Sequence, residues 1–293
     1  MIEKNGLVVE GGGMKCAYSA GILDRFLDDH INFDYCIGVS AGAANTLSYL
    51  AGQRGRNLRF YTKHLDDPRY LSIHSLIHTG NLFGLQYIYG TLTNSDGADP
   101  IDYPAIMRNP SEFYMPATDA KTGCAIYFTK YDIIRDDYRT VMATCALPGF
   151  CRPVEIDGHF YYDGGVADSI PVSHALSHGC KKLVVILSNP RDFVKQPEAH
   201  RPIYKRMLRK YPNTIDSIDH RHINYQHSID LANQLEKDGT AFIFAPSRHV
   251  PLSTFSRDAA LEQELYDLGV ADYNARSAAL KQFLSREEEK ETL

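Results

Sequence analysis

A serine flanked by two glycines lies early in the chain, in the segment Gly38-Val39-Ser40-Ala41-Gly42. This spacing is typical of a nucleophile elbow, a tight strand-to-helix turn that exposes the serine hydroxyl and leaves no room for larger flanking side chains. The turn also brings the unpaired N–H groups at the start of the helix close to the reacting oxygen. We predict Ser40 as a nucleophile, with Gly38 and Gly42 as the elbow glycines. A purely structural turn is the alternative.

Three consecutive glycines precede this serine, in the segment Glu10-Gly11-Gly12-Gly13-Met14-Lys15. Glycines let the backbone approach a ligand closely and aim several N–H groups at one point. A P-loop ends in Gly-Lys-Ser/Thr, and a dinucleotide fingerprint requires glycine where this chain has Cys16, so neither phosphate-binding motif fits well. The remaining interpretations are an oxyanion hole and a tight structural turn.

An aspartate ends a later β-like segment, Tyr161-Tyr162-Asp163-Gly164-Gly165. A glycine turn at this point directs the carboxylate of Asp163 towards the edge of a sheet, although most Asp-Gly pairs are only turns. Taken alone, this motif is the weakest of the three.

The hydrophobic pattern predicts the elements that position these residues. Residues 7–9 and 35–39 are strand-like, and each segment runs into a helix-forming segment. Strands that alternate with helices indicate a parallel sheet covered by helices. The apolar runs 182–188 and 241–244 fit the same sheet. The predicted fold class is therefore α/β, with a mainly parallel central sheet flanked by helices.

The rest of the chain predicts a β-hairpin region and a mainly helical C-terminal part. Residues 124–129 and 154–162 have β character, and the second segment turns at Asp157-Gly158. We expect a single catalytic domain over residues 1–284. Its parts are a motif-bearing core at 7–190 and a helical and strand-containing part at 191–284, followed by a charged tail at 285–293.

The glycine loop, the elbow and the Asp-Gly-Gly turn together resemble the patatin-like phospholipase family, which carries these motifs in the same order. The match extends to Ala143-Thr-Cys-Ala-Leu-Pro-Gly-Phe150 with Pro153, and to Ile170-Pro171. The resemblance implies a three-layer α/β/α fold and a dyad of Ser40 and Asp163, with no metal and no cofactor. It aligns the oxyanion loop and the basic residue of that loop with Gly11, Gly12, Gly13, Met14 and Lys15.

The activity that the resemblance implies is hydrolysis of a fatty-acyl ester, as by a phospholipase A or a lysophospholipase, through an acyl-Ser40 intermediate. A non-catalytic lipid-binding or regulatory protein and an acyltransferase with the same dyad are the alternatives. An ordinary α/β-hydrolase would recruit a late histidine, but several strands normally precede the elbow in that fold, whereas Ser40 comes early. The candidates for that histidine are His174, His178, His200, His220, His222, His227 and His249.

Composition and charge argue against other classes of protein. Acidic and basic residues are interspersed and give a formal net charge of -5, so no field of one sign covers the chain as it would in most nucleic-acid binders. The six cysteines lack Cys-x-x-Cys spacing, which favours reduced thiols.

No segment approaches the ~18 apolar residues of a membrane span, and the N-terminus lacks the apolar run of a signal peptide. We expect a soluble, cytoplasmic protein that acts on a lipid or fatty-acyl ester, with at most peripheral membrane contact; the oligomeric state is not predicted.

Two stretches are candidates for a lid. Residues 70–92 are rich in Leu, Ile, Tyr and Phe and carry no Asp, Glu, Lys or Arg, whereas residues 201–211 mix basic and apolar side chains. The first stretch is also a candidate acyl pocket or interfacial surface. The plainer interpretations are ordinary core for the first and a solvated helix face for the second.

Overall fold

A computed structural model of the protein describes residues 4–285. The strands of this part of the chain are β1 (Lys4–Val9), β2 (Tyr35–Gly38), β3 (Glu112–Asp119), β4 (Ala125–Thr129), β5 (Val154–Ile156), β6 (His159–Asp163), β7 (Cys180–Ile186) and β8 (Ala241–Phe244). They form one sheet in the order β5-β6-β3-β2-β1-β7-β8, and β4 also pairs with β3.

Most of this sheet is parallel. The neighbours β3, β2, β1, β7 and β8 run parallel, whereas β4 and β6 run antiparallel to β3. The strands β5 and β6 form the predicted hairpin. Its turn residues Asp157 and Gly158 have φ values of 50° and 79°, as a type I′ turn requires. The predicted mainly parallel sheet with a hairpin region is confirmed.

Helices connect the strands. They are α1 (Ala17–Asp28), α2 (Ala41–Leu50), α3 (Arg56–Tyr61), α4 (Ile73–Thr79), α5 (Leu85–Tyr87), α6 (Tyr103–Arg108), α7 (Arg139–Thr144), α8 (Val172–Ser177), α9 (Arg201–Met207), α10 (Pro212–Lys237) and α11 (Ala259–Ser285). The helix predicted after Ser40 is α2, and the helical C-terminal part corresponds to α9, α10 and α11. The predicted tail lies outside the described residues, apart from Ser285.

Helices cover both faces of the sheet. Successive side chains of a strand point to opposite faces, and the end of β1 illustrates this alternation. Leu7 and Val9 pack in a core with α1, α2 and α11, whereas Val8 packs in a second core with α8 and α10. The result is the expected three-layer α/β/α arrangement.

The C-terminal helix α11 belongs to one of these layers, because it packs closely against α1. A Cβ added at Gly269 of α11 would lie 2.3 Å from Tyr18 O, so a larger residue there would force the two helices apart. Two hydrogen bonds cross the same contact, from Tyr18 Oη to Asp272 Oδ2 (3.0 Å) and from Tyr266 Oη to Asp24 Oδ2 (2.8 Å).

The sheet order brings the ends of three strands together. The strands β2, β1 and β7 are adjacent and parallel, so the residues that follow them meet at one edge. In open α/β sheets, ligands bind beyond the carboxyl ends of the strands. The segments found there are Glu10–Lys15, Ser40 and Ser188–Asn189.

Candidate active site

Ser40 occupies the turn between β2 and α2, with φ 55° and ψ −128°. Such a conformation costs a residue other than glycine about 1–3 kcal/mol, so it persists only where the surroundings enforce it. An added Cβ would lie 2.7 Å from Ala43 Cα at Gly38 and 2.5 Å from Glu10 O at Gly42. Neither position therefore has room for a side chain larger than that of glycine.

Thr144, at the end of α7, supports the elbow. Its Oγ1 accepts a hydrogen bond from Ser40 N–H (3.0 Å) and donates one to Pro116 O in β3 (2.6 Å). The Thr144 side chain is fully buried, so water does not compete for these two hydrogen bonds. The sequence analysis assigned no role to Thr144, because only the folded chain brings α7 beneath the elbow.

The Ser40 hydroxyl is hydrogen-bonded to Asp163. Ser40 Oγ donates to Asp163 Oδ2 at 2.6 Å, and Gly165 N–H donates to the other oxygen, Oδ1, at 2.7 Å. Asp163 ends β6 and is only 5% exposed. The turn that follows it therefore fixes the carboxylate, and the carboxylate fixes the hydroxyl. The structure brings the two predicted dyad residues into direct contact.

Burial sets the basicity of this carboxylate. It raises the pKa of Asp163 above the ordinary value, while the hydrogen bond from Ser40 and the positive charge of Arg221 act in the opposite direction. Arg221 lies on α10, and its Nε donates to Gly165 O, next to the Asp163 turn. A base with a raised pKa removes a proton from a hydroxyl more readily, provided that it stays ionised at the working pH.

The glycine loop contacts the elbow directly. A Cβ added at Gly11 would lie 3.0 Å from Ser40 Cβ. Within residues 4–285, the backbone N–H groups of Gly11, Gly12, Gly13 and Ala41 donate to no protein acceptor. Those groups are therefore free to bind an oxygen that carries developing negative charge.

The last two residues of the predicted oxyanion loop have other contacts. Met14 N–H donates to Thr254 O and Lys15 N–H donates to Gly12 O, both at 3.3 Å. The Lys15 side chain extends towards the segment that follows β7, where its Nζ donates to Asn189 Oδ1 (2.8 Å). The three glycines are thus the part of the loop with free donors.

Glu10 anchors the start of this loop. Its carboxylate accepts hydrogen bonds from Ser188 N–H (2.7 Å) after β7 and from Tyr225 Oη (3.0 Å) on α10. Glu10 is 4% exposed, and burial raises the pKa of its carboxyl. The side chain therefore ties the first residue of the glycine motif to two other elements, a role that the sequence analysis missed.

Ser40 and Asp163 line a cavity of about 650 Å³, a size typical of small-molecule sites. The apolar stretch at residues 70–92 supplies much of the wall through Tyr70, Phe83, Leu85, Ile88 and Tyr89. Phe150, Ile203 and Met207 also line the cavity, and their exposed fractions of 40%, 60% and 58% place them at its mouth. Both stretches that were candidates for a lid therefore contribute to the cavity.

No histidine takes part in the contact between Ser40 and Asp163. His200 lines the same cavity, but within the described residues neither Ser40 nor Asp163 hydrogen-bonds to a histidine. His220, His222 and His227 lie on α10. Ser40 and Asp163 therefore contact each other directly, without a histidine between them.

Comparison with known proteins identifies the family of this chain. A family model described as patatin-like phospholipase matches residues 7–176. The chain belongs to this family. Membership confirms the resemblance found in the motifs and places the chain with the lipid acyl hydrolases. A second model, a domain of unknown function (DUF6363), matches residues 211–285 of this patatin-like protein.

Two known proteins are similar to the chain over 90% of its length. The chain is 30% identical over 279 residues to the uncharacterised protein YjjU of Escherichia coli (strain K12), covering 90% of this chain and 74% of YjjU. It is also similar to the crystal structure of VipD from Legionella pneumophila, with a TM-score of 0.41 and 13% identity over 90% of this chain and 67% of that one.

The two matched segments of this patatin-like protein meet at the cavity. The second segment supplies Arg221, Tyr225, Thr254 and Phe255 to the lining, whereas Ser40 and Asp163 belong to the first. Among residues 4–285, none of the helices is both long enough and apolar enough to cross a membrane.

Proposed function

We propose that the protein hydrolyses fatty-acyl esters of lipids, as a phospholipase A or lysophospholipase does, with Ser40 as nucleophile and Asp163 as base. The observation that carries this proposal is the 2.6 Å hydrogen bond from Ser40 Oγ to the buried Asp163 carboxylate, in a cavity with an apolar wall. We also infer one catalytic domain over residues 1–284, since both matched segments line that cavity.

The first half of the reaction forms an acyl-enzyme. Asp163 accepts the hydroxyl proton as Ser40 Oγ attacks the ester carbonyl carbon, and the carbonyl oxygen becomes an oxyanion. The free N–H groups of Gly11, Gly12 and Gly13 stabilise this charge, because they are already oriented before the reaction. When the intermediate collapses, the bond to the alcohol oxygen breaks, and Asp163 returns its proton to the leaving alcohol.

The second half of the reaction reverses these roles with water. Asp163 takes a proton from a water molecule, whose oxygen attacks the acyl carbon of the Ser40 ester. The new oxyanion occupies the same loop. Its collapse releases the fatty acid and restores the Ser40 hydroxyl with the proton that Asp163 held.

The mouth of the cavity supports peripheral contact with a membrane. Phe150, Ile203 and Met207 are exposed apolar side chains around the opening, and Ile73 and Ile77 of α4 are 72% and 75% exposed. Lipid substrates reside in bilayers, and exposed apolar patches are typical of such contacts. We therefore propose that this rim touches the membrane while a lipid enters.

The test is labelling and turnover of the Ser40→Ala variant. Wild type should release fatty acid from a lysophospholipid and react with a fluorophosphonate at Ser40, whereas the variant should do neither. Ser173→Ala is the matched control, since Ser173 is exposed on α8 away from the cavity. Equal fatty-acid release by wild type and Ser40→Ala would refute the proposal. Transfer of the acyl group to an alcohol, with no fatty acid released, would identify an acyltransferase instead.

A further inference from the structure

Three consecutive glycines give the glycine loop, residues 10–15, unusual conformational freedom. Glycine has more accessible backbone conformations than any other residue and loses the most entropy when it becomes ordered. Gly13 adopts φ 58°, and within residues 4–285 the N–H groups of the three glycines donate to no protein acceptor. The conformation of the loop therefore depends on contacts that other segments make with it.

The second matched segment, residues 211–285, holds the start of this loop through Tyr225 of α10. The Tyr225 hydroxyl donates to Glu10 Oε1 at 3.0 Å, and Ser188 N–H donates to the other carboxylate oxygen at 2.7 Å. Tyr225 and Glu10 are 5% and 4% exposed. A buried carboxylate that loses a donor must find another or move, so the tyrosine hydroxyl helps to fix the point where the loop leaves β1.

The same segment holds the end of the loop through Thr254. Thr254 O accepts a hydrogen bond from Met14 N–H (3.3 Å). A Cβ added at Gly13 would lie 2.7 Å from both Thr254 O and Thr254 Cγ2, so Thr254 lies directly against the last glycine. Tyr225 and Thr254 thus contact the glycine loop at its two ends.

Two neighbouring side chains fix the position of Thr254. The Phe255 ring packs against that of Phe83, with centres 5.7 Å apart, and Arg257 Nη2 donates to Leu65 O at 3.0 Å. Phe83 and Leu65 belong to the first matched segment. The second matched segment therefore cannot shift at this point without breaking contacts with the first.

We propose that Tyr225 and Thr254 are positioning residues, which hold the glycine loop where its N–H groups meet the oxyanion formed at Ser40. The donors of an oxyanion hole act at about 3 Å from the charged oxygen, and a displacement of about 1 Å at a reacting site costs about 100-fold in rate. This inference rests on the proposed function. It gives residues 211–285, which match a domain of unknown function, a role in the reaction: they order the loop that the first matched segment supplies.

The Tyr225→Phe variant tests the contact at the start of the loop, because it removes one hydroxyl and keeps the ring. With a soluble butanoyl ester, kcat should fall about 10- to 100-fold. KM should stay near the wild-type value, since the lost contact acts on the transition state and not on binding of the substrate.

Tyr266→Phe is the matched control for this variant. Tyr266 lies in the same matched segment, is 7% exposed, and donates to the carboxylate of Asp24 at 2.8 Å, but it does not line the cavity. Tyr266→Phe should therefore keep the wild-type kcat. An unchanged kcat in Tyr225→Phe, or an equal fall in both variants, would overturn the inference.

A double variant shows whether Tyr225, which also lines the cavity, acts through Glu10. Rate losses multiply for residues that act independently, but not for two residues that share one contact. Glu10→Ala with Tyr225→Phe should therefore be as slow as Glu10→Ala alone. Multiplied losses would mean that Tyr225 acts on the substrate itself, and its assignment as a positioning residue would be wrong.

Amide hydrogen exchange of the full-length protein, followed by mass spectrometry, reports on the loop without turnover. Peptides that contain residues 10–16 should exchange faster in Tyr225→Phe and in Arg257→Met, which frees Thr254, than in wild type or Tyr266→Phe. Arg248→Met, at an exposed arginine of the same connection between β8 and α11, should match wild type.

The exchange experiment separates failure of this inference from failure of the proposed function. Unchanged exchange in both Tyr225→Phe and Arg257→Met would overturn the inference, whether or not the wild type is active. Absence of turnover in wild type would refute the proposed hydrolysis, and faster exchange in the two variants would then still support the ordering of the glycine loop by residues 211–285.

Discussion

The cavity has an apolar end and a cationic end, and the chain builds them in different ways. The apolar end takes five of its side chains from one continuous stretch, residues 70–92. The cationic end combines Lys15 after β1, Lys195 in the segment after β7 and Arg221 on α10. Ser40 and Asp163 lie in the same cavity, where the loop, the elbow and the β6 turn converge.

This difference reflects the physics of the two kinds of binding. Burial of apolar surface is non-directional, so a run of large apolar residues is sufficient to form a wall for an acyl chain. Recognition of a charged group requires hydrogen-bond donors at fixed positions. The apolar end should therefore discriminate by chain length and the cationic end by charge, while the dyad serves both.

The largest effect is expected from Asp163→Asn, which removes the base without much change in shape. The reaction rate should fall by about 100- to 10,000-fold, the usual contribution of a general base. The fold-loss of activity should be the same for a phosphate-bearing and a neutral ester, because Ser40 and Asp163 act on the ester carbonyl, which both substrates share. Measurement of kcat/KM for both esters checks this, with Asp238→Asn at the exposed end of α10 as control. A variant that kept a tenth of wild-type activity would show that Asp163 is not the base.

Much of the fold and the contact between the motifs could be predicted from the sequence. The strand-like runs at residues 7–9 and 35–39 are continuous and apolar, as buried parallel strands are, and each ends in a chemically distinctive loop. Since adjacent parallel strands end at one edge, the glycine loop and Ser40 had to meet. Family resemblance, not spacing, pointed to Asp163, because the antiparallel β6 reaches the elbow only through the pairing of β3 with β2.

The supporting residues could not be predicted in this way. Thr144, Glu10 and Arg221 act through contacts with residues far away in the chain, and no local pattern marks them. Arg221 lies on a long polar helix where a single cation resembles any solvated residue. Its position over the Asp163 turn depends on how α10 packs against the sheet, which is a tertiary property.

Replacement of Arg221 by Met should give the next largest effect and tests the link between the cationic end and the dyad. Asp163 must be ionised to accept a proton, so activity rises as pH increases through its pKa. The cation of Arg221 lowers that pKa, whereas burial raises it. The thiols of Cys16, Cys145 and Cys151 also interact with this carboxylate, and burial raises their pKa values. Loss of the cation should therefore move the acidic limb of kcat/KM to higher pH, by about 1 unit for one nearby charge.

The controls for this pH profile are Arg221→Lys, which should restore part of the shift, and Arg209→Met, at an exposed arginine outside the cavity. If Arg221→Met lost activity equally at every pH, Arg221 would contribute only to folding or to substrate binding, and the two parts of the cavity would be electrostatically independent.

Substitution of Phe83 by Ala should sharpen the description of the apolar end. The Phe83 ring lines the cavity, with its centre 5.7 Å from that of Phe255. Each methylene removed from water contributes about 0.8 kcal/mol, so loss of this wall should lower kcat/KM about tenfold for a hexadecanoyl ester and much less for a butanoyl ester. Phe160→Ala, at a 39% exposed phenylalanine of the hairpin, is the control. Equal losses for both chain lengths would place the acyl chain elsewhere.

The smallest effect should come from Ile203→Ser at the mouth of the cavity. Ile203 is 60% exposed, and Ile134, which does not line the cavity, is 61% exposed, so Ile134→Ser is a control matched in residue type and exposure. If the rim enters the membrane interface, Ile203→Ser loses part of the free energy gained when one isoleucine side chain leaves water. Sedimentation with phospholipid vesicles should then show binding about threefold weaker than that of wild type. The same substitution at position 134 should leave binding at the wild-type level. Equal binding by both variants would mean that lipid reaches the apolar end without contact between this rim and the bilayer.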